Sequence, residues 1–334
     1  MTMSSPALAP RVVVVHRRTE YAELIGRHGT RGQAAFFLSS RGRDITEVEA
    51  GSRSVDAART AVGAAIPLDW RRGEVERDDL DRFLFAPDDV VVCVGQDGLV
   101  ANVAKYLDGQ PLIGIDPDPG RNAGVLVRHR VPEAGDLMQG AVADRLAGRT
   151  MPGRTMVEAR SDDGQRLIAL NEIYVGHPGH QSARYVLAVM GADTPATHDA
   201  RTLPAALHAP ARPAGPGPAA DHGERQSSSG LLVCTGTGST GWCSSVQRER
   251  RSEIALPGPA TDGLVWFVRE AWLSPTTGAA RTTGTINGSA RVELLVESDH
   301  LVAFGDGIET DALALSWGQR LSVGVAATRL ALVE

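Results

Sequence analysis

The sequence predicts an α/β chain in which a parallel, doubly wound sheet is followed by a β-rich domain. Three observations predict it. The runs Val12–Val15 and Val90–Val94 are apolar throughout and, Cys93 apart, β-branched, as strands buried on both faces are, and helical segments alternate with them. A Gly-bracketed turn, Gly95-Gln96-Asp97-Gly98, joins the second run to a helix. Beyond residue 150 helical spacing gives way to short alternating runs punctuated by Gly, Asp and Asn, the pattern of an all-β domain.

In order, Arg11–His16 is a first buried strand, a helix starts at Thr19–Gly26, and residues 27–44 have no clear periodicity. Asp44–Ala64 is helical, with Val48, Val55, Ala58 and Val62 on one face. Ile66–Leu68 is expected as a short second strand and Glu76–Phe85 as an amphipathic helix. The central strand Val90–Val94, a helix over Leu99–Leu107 and a strand over Leu112–Ile115 complete the parallel pattern, and Val131–Leu146 is a further helix. The rigid loop Asp116–Arg121 is placed by this topology beside the Gly turn.

Strands are then expected at 155–160, 165–170, 173–175, 184–190, 230–234, 264–268, 281–287, 291–297, 301–304, 312–317, 320–325 and 329–333. The predicted domains are 11–130, 150–320 and a C-terminal strand segment, 321–334, returning to the first domain, with a cleft between the two. Residues 195–228, rich in Pro, Ala and Gly, are expected as a flexible insertion. Gly305–Asp311 is expected as a hairpin turn.

Composition excludes several function classes. The 334 residues carry a formal net charge of -6, which argues against a nucleic-acid or acidic-membrane partner. No apolar run is long enough to span a bilayer, Met1–Pro10 lacks the pattern of a signal peptide, and the three cysteines follow no metal spacing, so a reduced, cytoplasmic setting is expected. Lys105 is the only lysine, so neither a P-loop lysine nor a protein-kinase strand lysine is present in its motif.

Three stretches carry chemistry. Strand, Gly-bracketed turn and helix offer unpaired backbone N–H groups to an anion, with Asp97 at the tip. Asn171-Glu172, at a break between strands, suits vicinal hydroxyls, because the amide donates and accepts while the carboxylate accepts. Ser228–Trp242 is a strand entering a Gly/Ser/Thr-rich loop before a helix, a source of donors for phosphate or ribose oxygens.

Gly95-Gln96-Asp97-Gly98, Asn171-Glu172 and Thr237-Gly238-Ser239-Thr240, in this order and spacing, resemble the G-G-D-G, N-E and T-G-S-T motifs of the NAD kinase family. Ile115–Arg121, Ser228–Ser239, Val268–Trp272 and Asp306-Gly307-Ile308 resemble its mitochondrial-type branch. The resemblance implies a Rossmann-like N-terminal domain and a β-sandwich-like C-terminal domain, a plan shared with diacylglycerol kinase-like proteins. It implies phosphoryl transfer from ATP, or another donor, with Mg2+ or another divalent metal, to a ribose hydroxyl, the 2′-hydroxyl of NAD giving NADP.

By the same resemblance Asp97 is catalytic, and Gly95, Gln96, Gly98 and Leu99 bind donor phosphates. Asp118, Asn171, Glu172, Thr237, Ser239, Thr240, Trp242 and Ser245 bind the acceptor, and the protein forms a homodimer or higher homo-oligomer. No protein residue is assigned as a metal ligand. Gln96 stands where the family has its second Gly, Leu99 where it has Thr, and Trp242 where many members have Tyr. A backbone at Gln96 with positive φ would be strained. These departures leave open a paralogue acting on another nucleoside or nucleotide-like metabolite, or a non-catalytic NAD(H)-binding pseudokinase.

Overall fold

A computed structural model describes residues 9–120, 124–149, 151–179, 181–191 and 223–334. The chain divides into two compact units, Met1–Gly153 with Leu330–Glu334, and Arg154–Arg329. It is a mixed α/β protein with a parallel-stranded sheet and a separate antiparallel, β-rich sheet.

The first unit runs β1 (Arg11–His16), α1 (Glu20–His28), α2 (Arg31–Ser39), α3 (Ile45–Ala65), β2 (Arg71–Glu76), β3 (Asp89–Val94), α4 (Asp97–Ala104), β4 (Pro111–Asp116), β5 (His129–Arg130) and α5 (Ala134–Leu146). The strand order β2-β1-β3-β4 is parallel throughout. β3 and β4 are buried along their whole length, which explains the apolar runs Val90–Val94 and Leu112–Ile115 within them. The Arg11 guanidinium donates twice to the fully buried Asp89 carboxylate, at 2.6 Å each, and pins the β1–β3 register at its first pair. Val12, Val14, Val92 and Ile113 pack against Val62 of α3 and Met138 of α5.

Local reading failed in two places here. Ile66–Leu68 is not a strand; α3 runs to Ala65 and β2 begins at Arg71, whose alternating burial carries only Val75 inward. Glu76–Phe85 is not an α-helix but a 3-10 segment over Arg77–Arg82, with Leu80 buried. The unplaced residues 27–44 contain α2, capped by Thr30, whose hydroxyl accepts from Gln33 N.

The second unit runs β6 (Arg154–Ser161), β7 (Arg166–Ala169), β8 (Glu172–Gly176), β9 (Ala183–Met190), β10 (Glu224–Ser228), β11 (Gly230–Cys234), α6 (Trp242–Arg250), β12 (Gly263–Arg269), β13 (Thr283–Asn287), β14 (Arg291–Val296), β15 (Leu301–Gly305), β16 (Ile308–Leu315) and most of β17 (Arg320–Leu332). One antiparallel sheet has the order β13-β12-β11-β8-β15-β16. In the other, β10-β9-β14-β17 continues through β17 to the β6–β7 hairpin. Their facing sides share one core: Val233 and Trp266 of the first sheet pack with Tyr185, Leu294 and Val323 of the second.

The two C-terminal strands expected at 320–325 and 329–333 are one strand, β17. Its first half pairs with β14, and its end, Ala331 and Leu332, pairs with Pro111 and Leu112 of β4 in the first unit. Glu224–Ser228, the end of the expected insertion, is strand β10, antiparallel to β9. Residues 195–222 lie outside the described residues.

Candidate functional site

In the first unit, β1 lies between β2 and β3, so the chain leaves the carboxyl ends of β1 and β3 toward opposite sides. Open α/β sheets bind ligands at such a switch point. The segments there are Arg17-Arg18-Thr19 after β1 and Gly95-Gln96-Asp97 after β3. Gly95 N donates to Ile115 O, which brings the Gly turn against the end of β4 and the Asp116–Gly120 loop, as the topology predicted. Asp118 N donates to Asp116 Oδ1 at 3.0 Å and Ser54 Oγ to Pro117 O at 2.7 Å, so that loop is held on both flanks. Arg121 lies outside the described residues.

Asp97 is the first residue of α4 and is partly exposed. Its carboxylate accepts three backbone N–H bonds, from Val125 at 3.0 Å to Oδ2 and from Leu126 and Val127 at 2.8 and 2.9 Å to Oδ1. A carboxylate offers about four lone-pair positions. Three amides therefore fix its orientation and leave room for one more donor on Oδ2, such as a hydroxyl.

Gln96 is extended, with φ -104° and ψ 166°, so replacing glycine here introduces no strain. Gln96 caps α4 without a side-chain hydrogen bond, which leaves the helix end without a side-chain acceptor. Leu99 is buried and folds back over Gly95. Its side chain therefore meets protein, and only its backbone could face a phosphate. Gly98 has open space where a Cβ would sit.

In the second unit, the Asn171-Glu172 break is held by Asp306. The hairpin turn predicted between β15 and β16 is present, with Asp306 at φ 53° and Gly307 at φ 70°, the left-handed pair that a tight hairpin requires. From it the Asp306 carboxylate accepts Leu170 N at 2.9 Å and Asn171 N at 2.7 Å. Burial, together with the neighbouring Asp306 charge, pushes the Glu172 carboxyl up to about 7. Asp306 was legible in the sequence as a turn residue and as part of the Asp306-Gly307-Ile308 resemblance; its part in holding Asn171 needs the fold.

The Thr235–Gly241 loop closes on the same break. Thr235 Oγ1 donates to Leu170 O at 2.6 Å and accepts from Thr237 N and Gly238 N, while Thr235 N donates to Asn171 O. A Cβ on Gly238 would stand 2.2 Å from Asn171 O, so this close approach admits only glycine. Ser239 Oγ donates to Gly236 O, and Thr240 Oγ1 lies 3.4 Å from Thr237 O. Thr237 Oγ1 is buried without a hydrogen-bond partner. Trp242 stacks on Tyr174 with ring centroids 5.2 Å apart, and the Arg269 guanidinium lies 5.3 Å from the Trp242 ring. Ser245 is exposed, one turn on in α6.

The structure therefore gathers Asn171, Glu172, Thr237, Ser239, Thr240 and Trp242 in one unit, and Gly95–Leu99 with Asp118 in the other. Sequence reasoning missed Arg17 and Arg18, whose signal was two successive cations directly after a buried strand. Both pair loosely with exposed or partly exposed acids: Arg17 with Glu23 at 3.5 Å and Arg18 with Glu76 at 3.4 Å. Among the described residues no group of three or more His, Cys, Asp or Glu is placed to hold a metal ion, and no helix is long and apolar enough to cross a membrane.

No family model matches the sequence, and no curated protein matches it. A solved structure of yeast NADH kinase complexed with NADH matches 98% of this chain and 84% of its own, at 12% identity and a TM-score of 0.54, and the chain shares that fold.

Proposed function

We propose that the chain is a NAD kinase-like phosphotransferase, moving a phosphoryl group from ATP or another donor to a ribose hydroxyl, the 2′-hydroxyl of NAD. The observation that carries the reading is Asp97: a partly exposed carboxylate beside a topological switch point, oriented by three backbone amides with a lone pair to spare. Transfer of a phosphoryl group through a loose transition state needs an oriented acceptor and charge stabilisation more than covalent chemistry.

In this reading Asp97 accepts the acceptor hydroxyl's proton. The open N-terminal end of α4 and the Arg17-Arg18 pair receive donor phosphates. A divalent ion such as Mg2+, bound to those phosphates, would offset their charge. Asn171 and Glu172 grip the ribose diol. The Thr237–Thr240 loop and the Trp242–Tyr174 stack flank the rest of the dinucleotide. The fold shared with a NADH kinase supports this at the level of architecture.

Purified protein incubated with NAD or NADH, nucleosides and ATP-Mg2+, with products followed by mass, tests it. The expected result is NADP or NADPH, lost in Asp97→Ala while NAD binding persists. Binding of NAD without any phosphorylated product would point instead to a dinucleotide sensor.

A further inference from the structure

We propose that Cys234 and Cys243 form a redox-active dithiol that peroxide closes to a disulfide, switching the Thr235–Trp242 loop between them. The inference about thiols stands on its own; its consequence for activity rests on the function proposed above.

Placement is the first support. Cys234 ends β11 and Cys243 is the second residue of α6, so the pair brackets the loop on both sides. Both are fully buried and pack in one apolar cluster with Leu232, Val246, Val265 and Phe267. Cys93, the third cysteine, is buried in β3 of the other unit.

The second support is chemical asymmetry. Cys243 sits in the first turn of a nine-residue helix whose N-cap, Gly241, makes no side-chain cap bond, a position where backbone N–H groups stabilise a thiolate. The neighbouring Cys234 thiol holds the Cys243 thiol below its ordinary range, while burial raises Cys234. Cys243 is thus the attacking sulfur and Cys234 the resolving one.

The chemistry balances with hydrogen peroxide as oxidant. The Cys243 thiolate attacks one peroxide oxygen; an S–O bond forms, the O–O bond breaks, and the departing hydroxide takes a proton to become water. Cys234 sulfur then attacks the sulfenic sulfur; the S–S bond forms, the S–O bond breaks, and the Cys234 proton leaves with the hydroxide as a second water. Two electrons pass from sulfur to peroxide. Both thiols are buried, so reaction waits on opening of the loop, whose Thr240-Gly241 edge is exposed.

Bond formation has a structural consequence. The sulfurs must close to the roughly 2.05 Å of a disulfide, drawing the first turn of α6 toward the end of β11. That turn carries Trp242 on Tyr174, and Cys234 is the strand partner of Glu172, so the aromatic wall and the diol grip both shift.

The experiment treats the full chain with hydrogen peroxide, then counts thiols in denaturant and maps peptides by mass. Both cysteines fall on the tryptic peptide Gln226–Arg248, which has no internal cleavage site between them. The expected result is a fall from three titratable thiols to one, that peptide lighter by two hydrogens, altered amide exchange over 235–242, and full reversal by dithiothreitol. Cys243→Ser and Cys234→Ser should each abolish the mass change, and Cys93→Ser should preserve it. NAD affinity should fall at least tenfold on oxidation of the wild type and stay constant in Cys243→Ser. Three thiols persisting after peroxide, or sulfinic acid in place of the disulfide, would overturn the proposal. So would a disulfide with unchanged exchange over the loop. A reversible disulfide with altered exchange in a protein that phosphorylates nothing would leave the switch standing and remove the kinase reading.

Discussion

Glu172→Gln isolates the electrostatic strain at the Asn171-Glu172 break. In the folded chain burial, and then the Asp306 charge, raise the Glu172 carboxyl from its ordinary 4.5 to about 7. Between those values the folded state binds more protons than the unfolded one, so stability is fully present below about 4.5 and is lost as pH rises through about 7. The shift corresponds to roughly 3 kcal/mol across the window, at about 1.4 kcal/mol per pH unit. Glutamine keeps the shape and cannot ionise. The variant should therefore lose this slope and become more stable than the wild type above neutrality, by an amount approaching about 3 kcal/mol.

Urea unfolding of both proteins from pH 4.5 to 8.5, followed by tryptophan fluorescence, reads the difference directly. Wild-type and variant curves that run parallel over that range would refute the reasoning, because they would mean Glu172 titrates alike in both states. On the function proposed above, the same variant should bind NAD more weakly above neutrality, where the wild-type group is an acceptor-only carboxylate and the variant an amide.

Asp97→Asn should lower turnover by about 10²–10⁴-fold with little change in NAD affinity, measured by coupled assay and calorimetry; unchanged turnover would remove Asp97 from proton transfer. Gly98→Ala should stabilise α4 by roughly 0.5–1 kcal/mol while raising the donor KM, because its Cβ enters open space at the helix N-terminus. Gly238→Ala should destabilise by about 3 kcal/mol or more through its clash with Asn171 O, seen as a lower denaturation midpoint. Arg11→Met should cost on the order of 3–5 kcal/mol in chemical unfolding, since it strands the buried Asp89 carboxylate.

The sequence by itself determined the elements whose signal is local. Val12–Val15 and Val90–Val94 could only be doubly buried strands, because nothing polar interrupts them. Gly305–Asp311 had to turn, because Asp and Gly tolerate left-handed backbone. The α/β-then-β order and the candidate motifs followed from the same reading. What escaped were features set by distant partners. Arg71–Glu76 became a strand because β1 offers it an edge, against its charged composition. Leu99 was buried by its fold over Gly95. Gln96 kept an ordinary backbone that its glycine-like position did not announce. Asp306 reaches Leu170 and Asn171 across more than a hundred residues, and Cys234 shares a buried cluster with Cys243 only because α6 packs back on β11 and β12. Hydrophobic period and turn chemistry are written in neighbouring residues, whereas the orientation of a carboxylate or the pairing of two thiols depends on groups that only packing brings within reach.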